Sequence, residues 1–306
     1  MSFSVLLSKM LIFIVLMVIG YVCARTGYIG KAFVSDASKL TINVFLVASI
    51  LNSVFASEMQ LDMGELLKII GVMTLMYAVS ALISFAVAKL AKLSPDREPA
   101  LEIVTSIGNN MFIGLPVAQQ VYGALSVFYI SMSSLPGNLL IYTYYVYRLA
   151  HGSGNNKFSI KDVLTPPLIA TIVSIVIFAA DIPIPSAVSN VISSAAAATM
   201  PVSMIVVGAT LAEINFVDAF KDKDVYISAV FRLIIIPAAV YLVLSFIPMD
   251  PLLLKTTVLI AACSGAVVCA VLSLQYGRDY VFASKTILVT TVFSMVTIPL
   301  WIYFLG

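Results

Sequence analysis

The chain has 306 residues, of which 61% are hydrophobic and only 10% charged, with a net charge of +2 and a mean hydropathy of +1.08. A soluble domain carries about a quarter charged residues, so this composition excludes a soluble globule and a disordered chain, and it lacks the basic footprint of a nucleic-acid binder. What remains is a polytopic membrane protein, and at about 20 apolar residues per span with short loops the length suits about ten transmembrane helices.

Charge-free runs and turn residues place ten apolar segments in chain order, at 3–24, 39–55, 66–90, 99–122, 126–150, 162–180, 186–212, 225–247, 251–275 and 280–304. The first lacks a basic leader and a small-residue cleavage site, so it reads as a retained helix. The stretch from Ile103 to Tyr147 has no charge at all. It is about twice the length of one span, so it must fold back, and Tyr122-Gly123 is the turn. Cys23, Cys263 and Cys269 all lie in apolar segments and imply no disulfide framework.

Basic residues settle the expected orientation. Arg25, Lys31, Lys39, Lys89, Lys92, Arg97, Arg148, Lys157, Lys161, Lys221, Lys223 and Arg278 fall in odd-numbered loops. The even-numbered loops and their flanks carry Lys68 and Lys255, with Glu58, Asp62, Glu65, Asp181 and Asp250. Positive residues stay in the cytoplasm, which puts both termini outside the cytoplasmic (plasma) membrane. The hydrophilic stretch from His151 to Lys157 reads as a cytoplasmic linker, dividing the chain into residues 1–150, a linker at 151–158 and residues 159–306.

These halves resemble each other. Tyr122-Gly123-x3-Val127-Phe128 recurs as Tyr276-Gly277-x3-Val281-Phe282, each between the fourth and fifth helix of its half, and Pro99 and Pro251 open the two fourth helices. Five helices make an odd number of crossings, so the second copy enters the membrane upside down. The expected fold class is therefore an all-α membrane protein with ten transmembrane helices arranged as a 5+5 inverted repeat, the architecture of secondary transporters.

The fourth segment contains Ser106-Ile-Gly-Asn-Asn-Met-Phe-Ile-Gly-Leu-Pro116. Asn109 and Asn110 lie about 15 Å beyond Pro99 at 1.5 Å per residue, near mid-bilayer. Gly108 ends helices readily and Pro116 begins them, so the backbone between them, through Gly114, is expected to be unwound. Freed backbone groups at that depth need protein or a wet cavity, and the half-helix that follows would turn its positive end toward an anion. The plainer reading is that the Asn pair caps a kink or binds helices together. The partner segment in the ninth helix is Cys263-Ser264-Gly265-Ala266, read either as a second break crossing the first or as a small-residue packing face.

Intramembrane charges need a reason. Arg232 lies about 12 Å into the eighth helix, where it either snorkels or joins a structural pair. Lys285 lies about 9 Å into the tenth, beside Thr286, Thr290 and Thr291, with Ser131 as its counterpart in the first repeat. Snorkelling, holding crossed half-helices together and titrating in the transport cycle are all open to it. Asn43, Ser131, Asn138, Thr199 and Ser203 are further candidate lining residues, with interhelical hydrogen bonding as the alternative. No carboxylate lies at mid-membrane, which favours an anionic or zwitterionic ligand over cation exchange. No catalytic triad elbow, zinc-binding HExxH, P-loop or dinucleotide fingerprint occurs, so no enzyme activity, metal or cofactor is expected.

These residues are similar to those of the auxin efflux carrier family, in its bacterial malonate-carrier-like branch. The resemblance covers essentially the whole chain. It rests on Gly108-Asn109-Asn110-Met111-Phe112-Ile113-Gly114-Leu115-Pro116, with Ile19-Gly20-Tyr21, Pro166-Pro167-Leu168-Ile169, Gly208-Ala209-Thr210-Leu211, Gln275-Tyr276-Gly277, Ala283-Ser284-Lys285 and Thr297-Ile298-Pro299-Leu300 in order. It implies a fold like that of bile acid symporters and sodium/proton antiporters, in which the fourth and ninth helices cross at the substrate site. It also implies small carboxylates as substrates and a homodimer as a plausible assembly. A proline that relatives carry in the ninth-helix break is replaced here by Cys263-Ser264-Gly265. The expected function is secondary transport of a small organic anion by alternating access, with proton or sodium as the coupling ion. The rivals are a sodium-coupled symporter on the same fold and a non-transporting sensor or channel-like module.

Overall fold

The computed structural model describes residues 3–55, 63–150, 166–180, 182 and 184–306; the expected linker at 151–158 lies outside them. Among the described residues the chain is helical and forms no strand. In order the helices are α1 (Phe3–Arg25), α2 (Lys31–Leu40), α3 (Leu46–Phe55), α4 (Met63–Ala91), α5 (Arg97–Ser106), α6 (Leu115–Tyr122), α7 (Ala124–Leu140), α8 (Val146–Ala150) and α9 (Pro166–Ala179). There follow α10 (Ser186–Ala197), α11 (Thr199–Leu211), α12 (Phe216–Lys221), α13 (Val225–Val230), α14 (Ile236–Ser245), α15 (Pro251–Ala262), α16 (Val267–Gln275) and α17 (Tyr280–Leu305).

Six stretches among the described residues are long and apolar enough to cross a bilayer: Lys31–Asn52, Gly64–Ala91, Ala124–Ala150, Ser186–Leu211, Val225–Ser245 and Tyr280–Leu305. Leu11–Arg25, Pro166–Ile177 and Pro251–Ala262 are shorter apolar helices. The fourth and ninth apolar segments of the sequence are each two short helices, α5 with α6 and α15 with α16. Each piece is about 12–18 Å long at 1.5 Å per residue, so none alone crosses a hydrocarbon core of about 30 Å.

The helices group into two compact units. The first holds Met1–Ile70, Met111–Leu135 and Leu164–Glu213, and the second Gly71–Asn110, Pro136–Val163 and Ile214–Gly306. Each unit draws on both halves of the sequence, so the compact units and the sequence halves are different divisions of the chain.

In the first unit α1 packs along α11, and α3 packs against α9 and α10. The α1–α11 contact is backbone on backbone: a Cβ on Gly20 would lie 2.0 Å from the Ile205 carbonyl oxygen, and one on Gly208 would lie 1.9 Å from that of Met17. Small residues permit such close approach, which is how helices associate where no hydrophobic effect separates them from lipid. Phe13 and Met17 bury on the same face of α1, whereas Leu11, Val15, Val18 and Val22 stay exposed, a stripe at helical spacing suited to lipid.

The second unit is organised around α17, which touches α5, α12, α13, α15 and α16. Of the four π-helical turns among the described residues, two, Asn110–Gly114 and Phe231–Ile235, end two residues before a proline, Pro116 and Pro237. Proline has no N–H and clashes with the carbonyl four residues back, and widening the preceding turn relieves that clash. Pro237 thus leaves the Leu233 carbonyl without its helical donor, and the Trp301 indole Nε1 donates to it instead at 2.8 Å.

Candidate functional site

Within the second unit, two helices stop at the same place. Helix α5 ends at Ser106 and Ile107 turns extended, at φ −96° and ψ 115°. Helix α15 ends at Ala262, and Cys263 and Ala266 are extended on either side of Ser264-Gly265. The two extended segments pair. Gly108 and Gly265 form an isolated antiparallel bridge, with Asn109 N donating to Ser264 O at 2.7 Å and Ala266 N donating to Ile107 O at 3.0 Å. Each break therefore satisfies backbone groups that the other exposes, which is the condition for irregular backbone inside a membrane.

The glycines are there for space. A Cβ on Gly108 would lie 1.9 Å from Arg232 Nη2 and 2.8 Å from Asn110 Oδ1. A Cβ on Gly265 would lie 2.6 Å from Val104 Cγ1. The first break is shorter than the sequence implied. Unwinding does not extend from Gly108 to Pro116: it ends at Asn109, the π-turn follows at once, and Pro116 sits in the first turn of α6. Pairing with the second break meets the backbone's needs within three residues, so a longer gap serves no purpose.

Arg232 lies in the π-turn Phe231–Ile235 and is only 1% exposed. Its guanidinium does not snorkel, and among the described residues it has no acidic partner. Nε donates to Cys263 O at 2.7 Å and Nη2 to Ile260 O at 3.1 Å, both at the end of α15. Nη1 donates to Ser106 O at 2.6 Å and more weakly to Thr105 O at 3.4 Å, both at the end of α5. Helix C-termini carry orphan carbonyls and a partial negative charge, and the planar five-donor fork of arginine is suited to bridging several acceptors at once.

Lys285 is not the residue that spans the crossing. Its Nζ lies 3.9 Å from Asp222 Oδ2, with the side chain 22% exposed. The threonines beside it do reach the crossing: Thr290 Oγ1 accepts from Gly265 N at 3.2 Å, and Thr291 Oγ1 donates to Ser264 Oγ at 3.1 Å. Asn110, only 7% exposed, donates through Nδ2 to Tyr77 Oη at 2.9 Å, while its Oδ1 has no partner among the described residues.

Of the residues singled out from sequence, Gly108, Asn109, Asn110, Ser264, Gly265 and Arg232 come together at the crossing. Lys285 and half-buried Asn138 belong to the same unit. Gly114, Pro116, Asn43, Ser131, Thr199 and Ser203 belong to the first unit. There Asn43 is exposed. Ser131 donates back to Val127 O, Ser203 back to Thr199 O, and Thr199 to Phe45 O at 2.8 Å, with Ser49 2.7 Å away. Ser131 and Ser203 thus bond to the carbonyl one turn back in their own helices, and Thr199 bonds across to the turn that precedes α3.

Sequence reasoning missed three features of the second unit. Tyr77 is one; a hydroxyl in the middle of a long apolar helix was its signal. Another is Glu102, fully buried, which accepts from Tyr144 Oη at 2.6 Å and from Arg148 Nη2 at 2.6 Å. The third is Arg97, which meets Asp279 at 3.0 Å, Asp224 at 2.8 Å and Asp222 at 3.2 Å and lies over the Phe282 ring. In the sequence alone Arg97 and Arg148 mark only the cytoplasmic side. Burial opposes the charge on Arg97, but the three aspartates outweigh it and raise its pKa.

Comparison with known proteins agrees with this picture. Residues 5–302 match the family described as Membrane transport protein. An uncharacterized transporter of Methanothermobacter thermautotrophicus is 26% identical over 297 residues, covering 94% of each chain. An uncharacterized transporter of Methanocaldococcus jannaschii is 25% identical over 302 residues, covering 95% of this chain and 96% of its own. With apolar helices long enough to span a bilayer, paired helix breaks and a family match over nearly its whole length, the chain is a multi-pass membrane transporter belonging to the Membrane transport protein family, that of the auxin efflux carriers.

Proposed function

We propose that the protein is a secondary transporter that moves a small mono- or dicarboxylate across the cytoplasmic membrane by alternating access, with the crossing of the two broken helices as its substrate site. The observation that carries this reading is the antiparallel pairing of Gly108 with Gly265. It gathers the polar groups of Asn109, Asn110 and Ser264 beside the hydroxyls of Thr290 and Thr291. The electrostatics favour an anion. Arg232 caps the negative ends of α5 and α15, while α16 begins at Val267, directly after the bridge, with the positive end of its dipole at the crossing. A ten-span 5+5 inverted repeat, with both termini outside, is the topology that goes with this reading.

Uptake of labelled mono- and dicarboxylates into proteoliposomes, with and without sodium and at two pH values, tests it. Wild type accumulates at least one of them, and Asn109→Ala and Asn110→Ala reduce that uptake at least tenfold. Uptake that both substitutions leave unchanged contradicts the site. Conductance far above transporter turnover contradicts the mechanism.

A further inference from the structure

Arg232 stands out among the buried side chains of the second unit. Its guanidinium faces backbone carbonyls from two different helices, and all three of its nitrogens donate to them, four bonds in all to Thr105, Ser106, Ile260 and Cys263. No salt bridge to Arg232 is found among the described residues. Its counter-charge is the pair of helix C-termini. A full positive charge taken out of water is costly unless strong acceptors surround it, and four carbonyls at two dipole ends are such acceptors. Gly108 is the complementary adaptation, since any side chain there would occupy the space of Nη2.

Two antiparallel breaks that bring helix C-termini together create a concentration of negative potential, which must be met by a cation. A bound alkali ion would meet it reversibly, whereas a guanidinium on a neighbouring helix meets it permanently. We propose that Arg232 is a positioning residue for transport, the resident counter-cation of the crossing, which fixes the two breaks against each other without any bound sodium. This rests on reading the crossing as the substrate site and adds that its geometry is independent of alkali ions. Arg232 acts through the carbonyls it holds. Any sodium dependence of uptake would then arise elsewhere than in the assembly of the crossing.

Hydrogen exchange of the full chain in lipid nanodiscs tests this without a substrate. The amides to follow are those of Asn109, Gly265 and Ala266, with the α1–α11 contact around Gly20 and Gly208 as reference. In wild type, replacing choline chloride by sodium chloride leaves exchange at the crossing unchanged. Arg232→Gln speeds it at least tenfold with the reference unchanged, and Arg232→Lys, which keeps the charge with fewer donors, speeds it less. Sodium that slows exchange at the wild-type crossing overturns the proposal. So does Arg232→Gln exchange that matches wild type, or that rises equally in both units as in a general loss of stability. If Arg232→Gln does not fold, Arg232→Lys and the wild-type sodium comparison decide. If no carboxylate is taken up by wild type, the transport reading fails while these exchange data still judge the role of Arg232.

Discussion

The two helix breaks do the same structural work with different residues. The first reads Ile107-Gly108-Asn109 and runs into a π-turn and a proline; the second reads Cys263-Ser264-Gly265-Ala266 and resumes as α16 without either. The first brings polar side chains of its own. The second brings only Ser264 and draws the rest from α17, where Thr290 and Thr291 serve Gly265 N and Ser264 Oγ. A break in a membrane helix is therefore specified less by its own sequence than by what waits to satisfy it. Proline is one route to a break and a paired partner is another.

The comparison can be broken first at its glycines. Gly108→Ala has the largest expected effect, because its Cβ meets a guanidinium fixed by carbonyls of two helices. Destabilisation at the top of the overpacking range, about 3 kcal/mol, is expected in chemical or thermal unfolding. Gly265→Ala meets Val104 Cγ1, an apolar tip whose displacement breaks no hydrogen bond, so a smaller loss of about 1–2 kcal/mol is expected. Adding Val104→Ala should recover most of that loss, and a strictly additive double variant would show that the contact is not the cause. If Gly265→Ala proved the costlier of the two, the fixed position of Arg232 would be in question.

Tyr77→Phe sharpens the comparison at the first break alone. It strips Asn110 Nδ2 of its acceptor, at a cost of about 1–3 kcal/mol for an orphaned buried group. Exchange should rise at Asn110 more than at Ser264, and equal rises would mean that the two breaks move as one. The smallest effect is at the edge of the unit. Burial opposes the charge on Glu98, but Lys89 at 2.7 Å and Arg148 at 3.1 Å lower its pKa. A lowered carboxylate pKa contributes stability that is present above the unfolded value of about 4.3 and is lost as pH falls through the folded value. Glu98→Gln should therefore narrow the stability gap to wild type as the solution is acidified, and a gap independent of pH would rule out the ion pairs as its origin.

Much of this was legible in the residues. Gly108 to Pro116 marked a weak point and Ser264-Gly265 its candidate partner, with helix packing as the competing use of small and polar residues at mid-span. The family followed from the same string. The identity of the cation at the crossing was not legible. Arg232 and Lys285 have similar sequence settings, and which one reaches the helix ends depends on the widened turn before Pro237 and on the packing of α17 beside α15. Nor was the fate of Ser131, Thr199 and Ser203 legible, since a hydroxyl at helical spacing reads the same whether it faces a ligand, the carbonyl one turn back as in Ser131 and Ser203, or a distant carbonyl as in Thr199. The Arg97 cluster joins residues more than a hundred positions apart, and no local pattern announces such a pairing.

The most direct test of the crossing as the transport site is to measure where a transported carboxylate protects the backbone. With saturating substrate, hydrogen exchange should slow together at residues 107–110 and 263–267, and the protection should vanish in Asn109→Ala. Protection confined to other helices, with both breaks unaffected, would contradict the account.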